Sequence, residues 1–214
     1  MKFIRISSAK TRQSESKQVN LLRKFRSNVA GIAAVEFGLL APLLMLMLFG
    51  ALEVSRAVLM HKRFQRATAM LGDLVSREDS IGTAAGQGVT ALNGMILSAT
   101  HIMKPFDMTT FNINVFEIRA RTATDIIAEW QYTSSGGNPG TATITCVPKA
   151  MPAANMINVG NAAIVVESSY LYKPLFAYLA PPGFGADIPW TDTITHSPRK
   201  RNFVPLDTAT GPNC

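Results

Sequence analysis

Histidine and cysteine are scarce in this 214-residue sequence, with three of the first and two of the second. His61, His101 and His196 stand far apart, and no HExxH or Gly-x-Ser-x-Gly pattern occurs. That excludes the zinc-hydrolase helix and the nucleophile elbow as organising motifs. Cys146 and Cys214 have no histidine or acid nearby at ligand spacing, so neither a metal nor a cofactor is expected. The glycine-rich run 79–88 lacks the Lys-Ser/Thr that would complete a phosphate-binding loop. Acidic residues of the second half are scattered without an obvious pair. Enzyme activity and a small-molecule substrate are therefore not expected.

The longest absence is of charge. From Phe37 to Leu52 no Asp, Glu, Lys or Arg occurs, and apolar character extends from Ile32 to Val54 with only Glu36 and Glu53 interrupting. Those 23 positions suffice to cross the ~30 Å hydrocarbon core of a bilayer as a helix. Acids are also nearly missing ahead of it. Residues 1–31 hold eight Lys or Arg and one acid, Glu15, whereas the other 183 residues hold thirteen of each sign. The whole formal charge of +7 thus belongs to the leader. Basic residues flanking a spanning segment mark the cytoplasmic side, which predicts a single-pass membrane protein with its head outside the cytoplasm. A nucleic-acid arm is the other use of such a basic run. Attachment to a spanning segment argues against it, and no nucleic acid is expected as a partner.

Residues 1–31 read as a targeting leader rich in Ser, Lys, Arg and Gln. An ordinary secretory signal needs a small-residue cleavage site after the apolar run; the best one available, Ser55-Arg56-Ala57, has charges at Glu53 and Arg56. At the other end, Gly31-Ile32-Ala33-Ala34-Val35-Glu36-Phe37 resembles the cleavage motif of type IV prepilin-like proteins: a Gly, four small or apolar residues, then Glu. Leu40-Ala41-Pro42-Leu43-Leu44 and the run from Phe49 to Ala57 extend the likeness. Together these stretches resemble the N-terminal signature of TadE-like proteins, the minor pilins or pseudopilins of bacterial tight-adherence (Flp/Tad) pilus systems. Residues 164–174 and the basic stretch before Cys214 resemble the family less specifically.

The resemblance implies cleavage after Gly31 by a prepilin peptidase, leaving Ile32 as the mature N-terminus in the bacterial inner membrane. It also implies lateral packing of the helix with other pilins and the pilus assembly machinery, with Glu36 and Phe37 as assembly residues. The residues alone leave three readings of Glu36. It favours the positive end of its own helix, pairs with the Ile32 amine four residues away, or reaches the amine of a neighbouring subunit. The resemblance favours the last.

Beyond the span the helical period persists, which predicts one helix from Ile32 to Ser76, roughly 65–70 Å long. Val54, Ala57, Val58, His61, Phe64, Thr68, Leu71 and Val75 form its expected apolar side, with His61 as a packed histidine. Glu53 is expected to be solvated or paired with Arg56. A second helix is expected over Val89–Met103, ended by Pro105. Alternation then predicts strands over Phe111–Arg119 and Ala123–Tyr132, a loop over Ser134–Gly140, and strands over Ala162–Tyr172 and Thr191–Arg201. The expected organisation is a leader 1–31, a transmembrane helix 32–54, a helical spine 55–78 and a head 79–214. The fold class is α+β, a long N-terminal helix with an antiparallel-sheet, pilin-like head. Cys146 and Cys214 both fall in that head, where the compartment permits disulfides, and one bridge between them is expected. Function follows as a minor pilin taking part in assembly of a tight-adherence pilus. The alternative is an uncleaved, signal-anchored envelope protein whose head binds a partner or surface.

Overall fold

The computed structural model of the chain describes residues 29–151, 156–175, 187–208 and 211–214, so the leader lies outside them except for its last three residues. Helix α1, Val29–Ser76, contains Pro42. Leu52 closes the first of two compact units and Glu53 opens the second. Within the second unit α1 buries Met60, Phe64, Ala67, Leu71 and Val75. Steps of four and three residues put these side chains in one stripe along the helix. The expected apolar side is corrected at its start, because Val54 and Val58 are 62% and 46% exposed. The packed stripe begins at Met60 and Phe64, and the Val54–Val58 face lies well round the 3.6-residue period from it.

The glycine-rich connection leads to helix α2, Gln87–Met103, which buries Leu92, Ile96, Ala99 and Met103 at the same spacing. Its N-cap, Gly86, has φ +82 and no side-chain cap of its own. The Asp207 carboxylate takes that role from the far end of the chain, accepting Gly86 N at 3.1 Å and Gly88 N at 2.7 Å. It satisfies two of the amides that a helix start leaves unpaired.

Five strands follow: β1 Asn112–Ala120, β2 Ile126–Ser134, β3 Thr141–Pro148, β4 Ala162–Tyr172 and β5 Ile188–His196. They form one antiparallel sheet in the order β3-β2-β1-β4-β5. With the long apolar helix this is an α+β protein. Ile113, Val115, Trp130, Tyr132, Ile164, Val166 and Tyr170 face the helices and complete the main core. A smaller cluster, Phe116, Ile118, Ala163 and Val165, lies on the opposite face. Thr68 of α1 meets Ser168 of β4 through a buried hydroxyl pair at 2.7 Å.

Two strand expectations are revised. β3 was not anticipated, and it pairs with β2 on the edge of the sheet directly after the loop. Its side chains are mostly exposed, so it lacks the alternation of a half-buried strand. β5 starts earlier and ends at His196, five residues short of the expected end. Pro198, which has no amide for the ladder, follows two residues on. The tail then leaves the sheet edge and crosses to the helices. Arg199 N donates to Ser76 O at 2.8 Å, Ile81 N to Pro205 O at 2.8 Å, and Asp207 N to Ile81 O at 3.0 Å. A disulfide joins Cys146 of β3 to Cys214.

Candidate functional site

The first half of α1 presents an apolar, largely exposed surface among the described residues. Its most apolar 18-residue window has no buried residue, and the helix is long and apolar enough to cross a membrane. Phe37, Leu39 and Leu46 are 67%, 75% and 70% exposed. Contiguous apolar exposure on this scale marks a surface meant for lipid or other helices. Gly31, Ile32, Glu36 and Phe37 occupy successive turns of this segment, with Ile32 and Glu36 on one side at i and i+4. A Cβ added to Gly31 would meet no atom within 4 Å.

Where the helix enters the head, Glu53 is not solvated or paired with Arg56 as expected. Its carboxylate accepts the Tyr172 hydroxyl and the Leu175 amide, the latter at 3.1 Å to each oxygen. Burial, reinforced by that carboxylate, pushes the Tyr172 hydroxyl up to about 12. Arg56, one turn on, and Arg63, two turns beyond it, place their guanidinium groups 5.8 and 5.6 Å from the centre of the Phe106 ring. His61 packs edge-on against Trp190 at 4.9 Å, and Trp190 stacks on Tyr172 at 4.8 Å. His61 is thus a packing histidine; among the described residues no group of three His, Cys, Asp or Glu could hold a metal ion.

At the other end of the head two carboxyls meet that the sequence reading treated as scattered. Glu117 and Glu129 are both fully buried. Register shifts at Glu117/Ile118 and at Ala128/Trp130 leave Glu129 as an extra residue between strands. Glu129 pairs with Arg119 and accepts Asn213 N at 2.6 Å. Glu117 accepts Val204 N at 2.6 Å and Trp130 Nε1 at 3.0 Å, and Trp130 Nε1 also donates to Val204 O at 2.8 Å. Two buried acids therefore share one nearby cation, Arg119. Burial, with Glu129 adding repulsion, pushes the Glu117 carboxyl up to about 8 despite its donors. Both acids hold the C-terminal tail, and the Cys146–Cys214 bridge closes over it. The signal for this site lay in strand register, which spacing along the chain does not display.

A long apolar helix and a five-stranded antiparallel sheet define the class: an α+β protein with one helix that could span a membrane. Residues 31–71 match the family model described as TadE-like protein, a Tad pilus family. The matched stretch takes in the apolar segment and the part of α1 that packs on the head, and leaves the sheet outside it. No curated protein and no solved structure matches the chain.

Proposed function

We propose that this protein is a minor pilin of a tight-adherence pilus, anchored in the inner membrane by α1 with its head outside the cytoplasm. A prepilin peptidase cuts after Gly31 and exposes the Ile32 amine; the mature helix then packs against those of other pilins. The observation that carries the reading is the bare apolar surface of α1 within the segment that matches the TadE-like family. A protonated amine among apolar helices needs a countercharge, and Glu36 is the one acid between Ile32 and Leu52. In this reading Glu36 serves the amine of a neighbouring subunit and Phe37 packs beside it.

The test compares leader removal and co-purification with other pilins in one Glu36→Ala strain. Intact mass should begin at Ile32 in both parent and variant, because cleavage is set at Gly31, while the variant fails to co-purify. Normal processing beside normal co-purification would remove the assembly role. A mature mass that still includes residues 1–31 in a strain with active peptidase would favour the uncleaved anchor instead.

A further inference from the structure

We propose that the junction around Arg56 binds the phosphate of an anionic lipid headgroup. Arg56 Nη1 is buried and has no hydrogen-bond partner among the described residues. A desolvated guanidinium N–H left without an acceptor is uncommon, and charge-assisted bonds to phosphate are what this group makes best. Glu53, one turn earlier, is engaged by Tyr172 and Leu175.

Beside Arg56 lies a cavity of about 60 Å³ walled by Phe106, Asp107, Tyr170, Tyr172 and Lys173. At ~10–15 Å³ per water that is room for roughly four to six waters, space on the scale of a phosphate group. Asp107 is the acid on the wall, and its carboxylate is engaged by Thr109 N at 3.0 Å and Thr109 Oγ1 at 2.8 Å. Lys173 faces the same space. Arg63, across the Phe106 ring, donates to Lys104 O and adds positive field.

The helix itself says that the phosphate belongs to a lipid and not to solution. Val54 and Leu59, flanking Arg56, are 62% and 60% exposed, and exposed Lys62 and Arg66 follow on the same helix. Apolar side chains giving way within two turns to long basic ones, whose stems lie along apolar surface while their heads reach water, fit a membrane surface. This inference rests on the reading that α1 anchors the chain in a bilayer.

The test uses the full chain in detergent micelles holding equimolar phosphatidylglycerol and phosphatidylcholine, with retained lipid counted by native mass spectrometry. Phosphatidylglycerol should be retained preferentially. Arg56→Gln and Lys173→Gln should each lower that preference about fivefold, the weight of one basic side chain at an anionic surface. Arg56→Lys should keep most of it, and Arg121→Gln, at a distant turn, all of it. Equal retention of the two lipids, or an unchanged preference in the Gln variants, would overturn the proposal. So would displacement of the lipid by millimolar inorganic phosphate, which would make this a site for free anions. Alkaline extraction separates the two readings. A chain released from membranes fails as an anchor, whereas one that stays without lipid preference fails only here.

Discussion

Replacing Glu117 by Gln removes a proton-binding group from the head while keeping its shape and an acceptor for Val204 N. In the folded protein the Glu117 carboxyl keeps its proton to about pH 8, against an ordinary value of 4.5. Between those values the folded state therefore holds one proton that the unfolded state has released. Stability must then fall as pH rises through this window and level off above it. Each pH unit is worth about 1.4 kcal/mol, so the full drop is on the order of 4 to 5 kcal/mol. The assay is denaturant unfolding of the disulfide-intact full chain in micelles at pH 5 and pH 8.5, followed by near-ultraviolet dichroism of the buried Trp130. Subtracting variant from parent cancels the histidines, which titrate in the same range. The parent should lose stability across the window and Glu117→Gln should lose several kcal/mol less. Identical pH dependence in the two proteins would refute the argument. A parent that gains stability on going from pH 5 to 8.5 relative to the variant would show a carboxylate ionised by its two donors.

Three further outcomes follow from the geometry. Cys214→Ser opens a bridge spanning 68 residues, and should lower stability by about 4 kcal/mol in the loop-entropy account, read from urea midpoints with and without reductant. Gly72→Ala would put a Cβ 2.3 Å from His196 Cδ2, so it should destabilise by about 1–3 kcal/mol, and adding His196→Ala should recover part of that loss in a double-mutant cycle. Asp207→Asn leaves one acceptor where two amides of the α2 start now find partners, and should cost about 1 kcal/mol, with faster hydrogen exchange at Gly86 and Gly88.

What could be read from the chain follows from how local each signal is. The long helix and the strand Ala162–Tyr172 were legible because their apolar patterns are complete within themselves. The antiparallel class was read from the first two strands, which a short turn joins. β3 was hidden because an exposed edge strand buries too little to show a two-residue period, although its Thr, Ile and Val favour extended backbone. The helix face was misjudged at Val54 and Val58 because any apolar side chain fits a lipid-facing helix, and only the head decides which stripe is packed. Glu53 looked like a surface acid because its partners, Tyr172 and Leu175, lie about 120 residues away. Glu117 and Glu129 were invisible as a pair because a bulge, not a spacing rule, brings them together.

The bridge between Cys146 and Cys214 also sets how the head would behave under pull. It encloses β4, β5 and the tail in one covalent ring. At about 3.5 Å per extended residue, its 68-residue separation hides roughly 240 Å of contour. Tension applied between α1 and Cys214 can stretch only the chain outside the ring. A head drawn out between its helix and Cys214 would lengthen in a first step and then stop. Under reducing conditions the same load would release the remainder, so single-molecule extension should show two contour lengths differing by that ring.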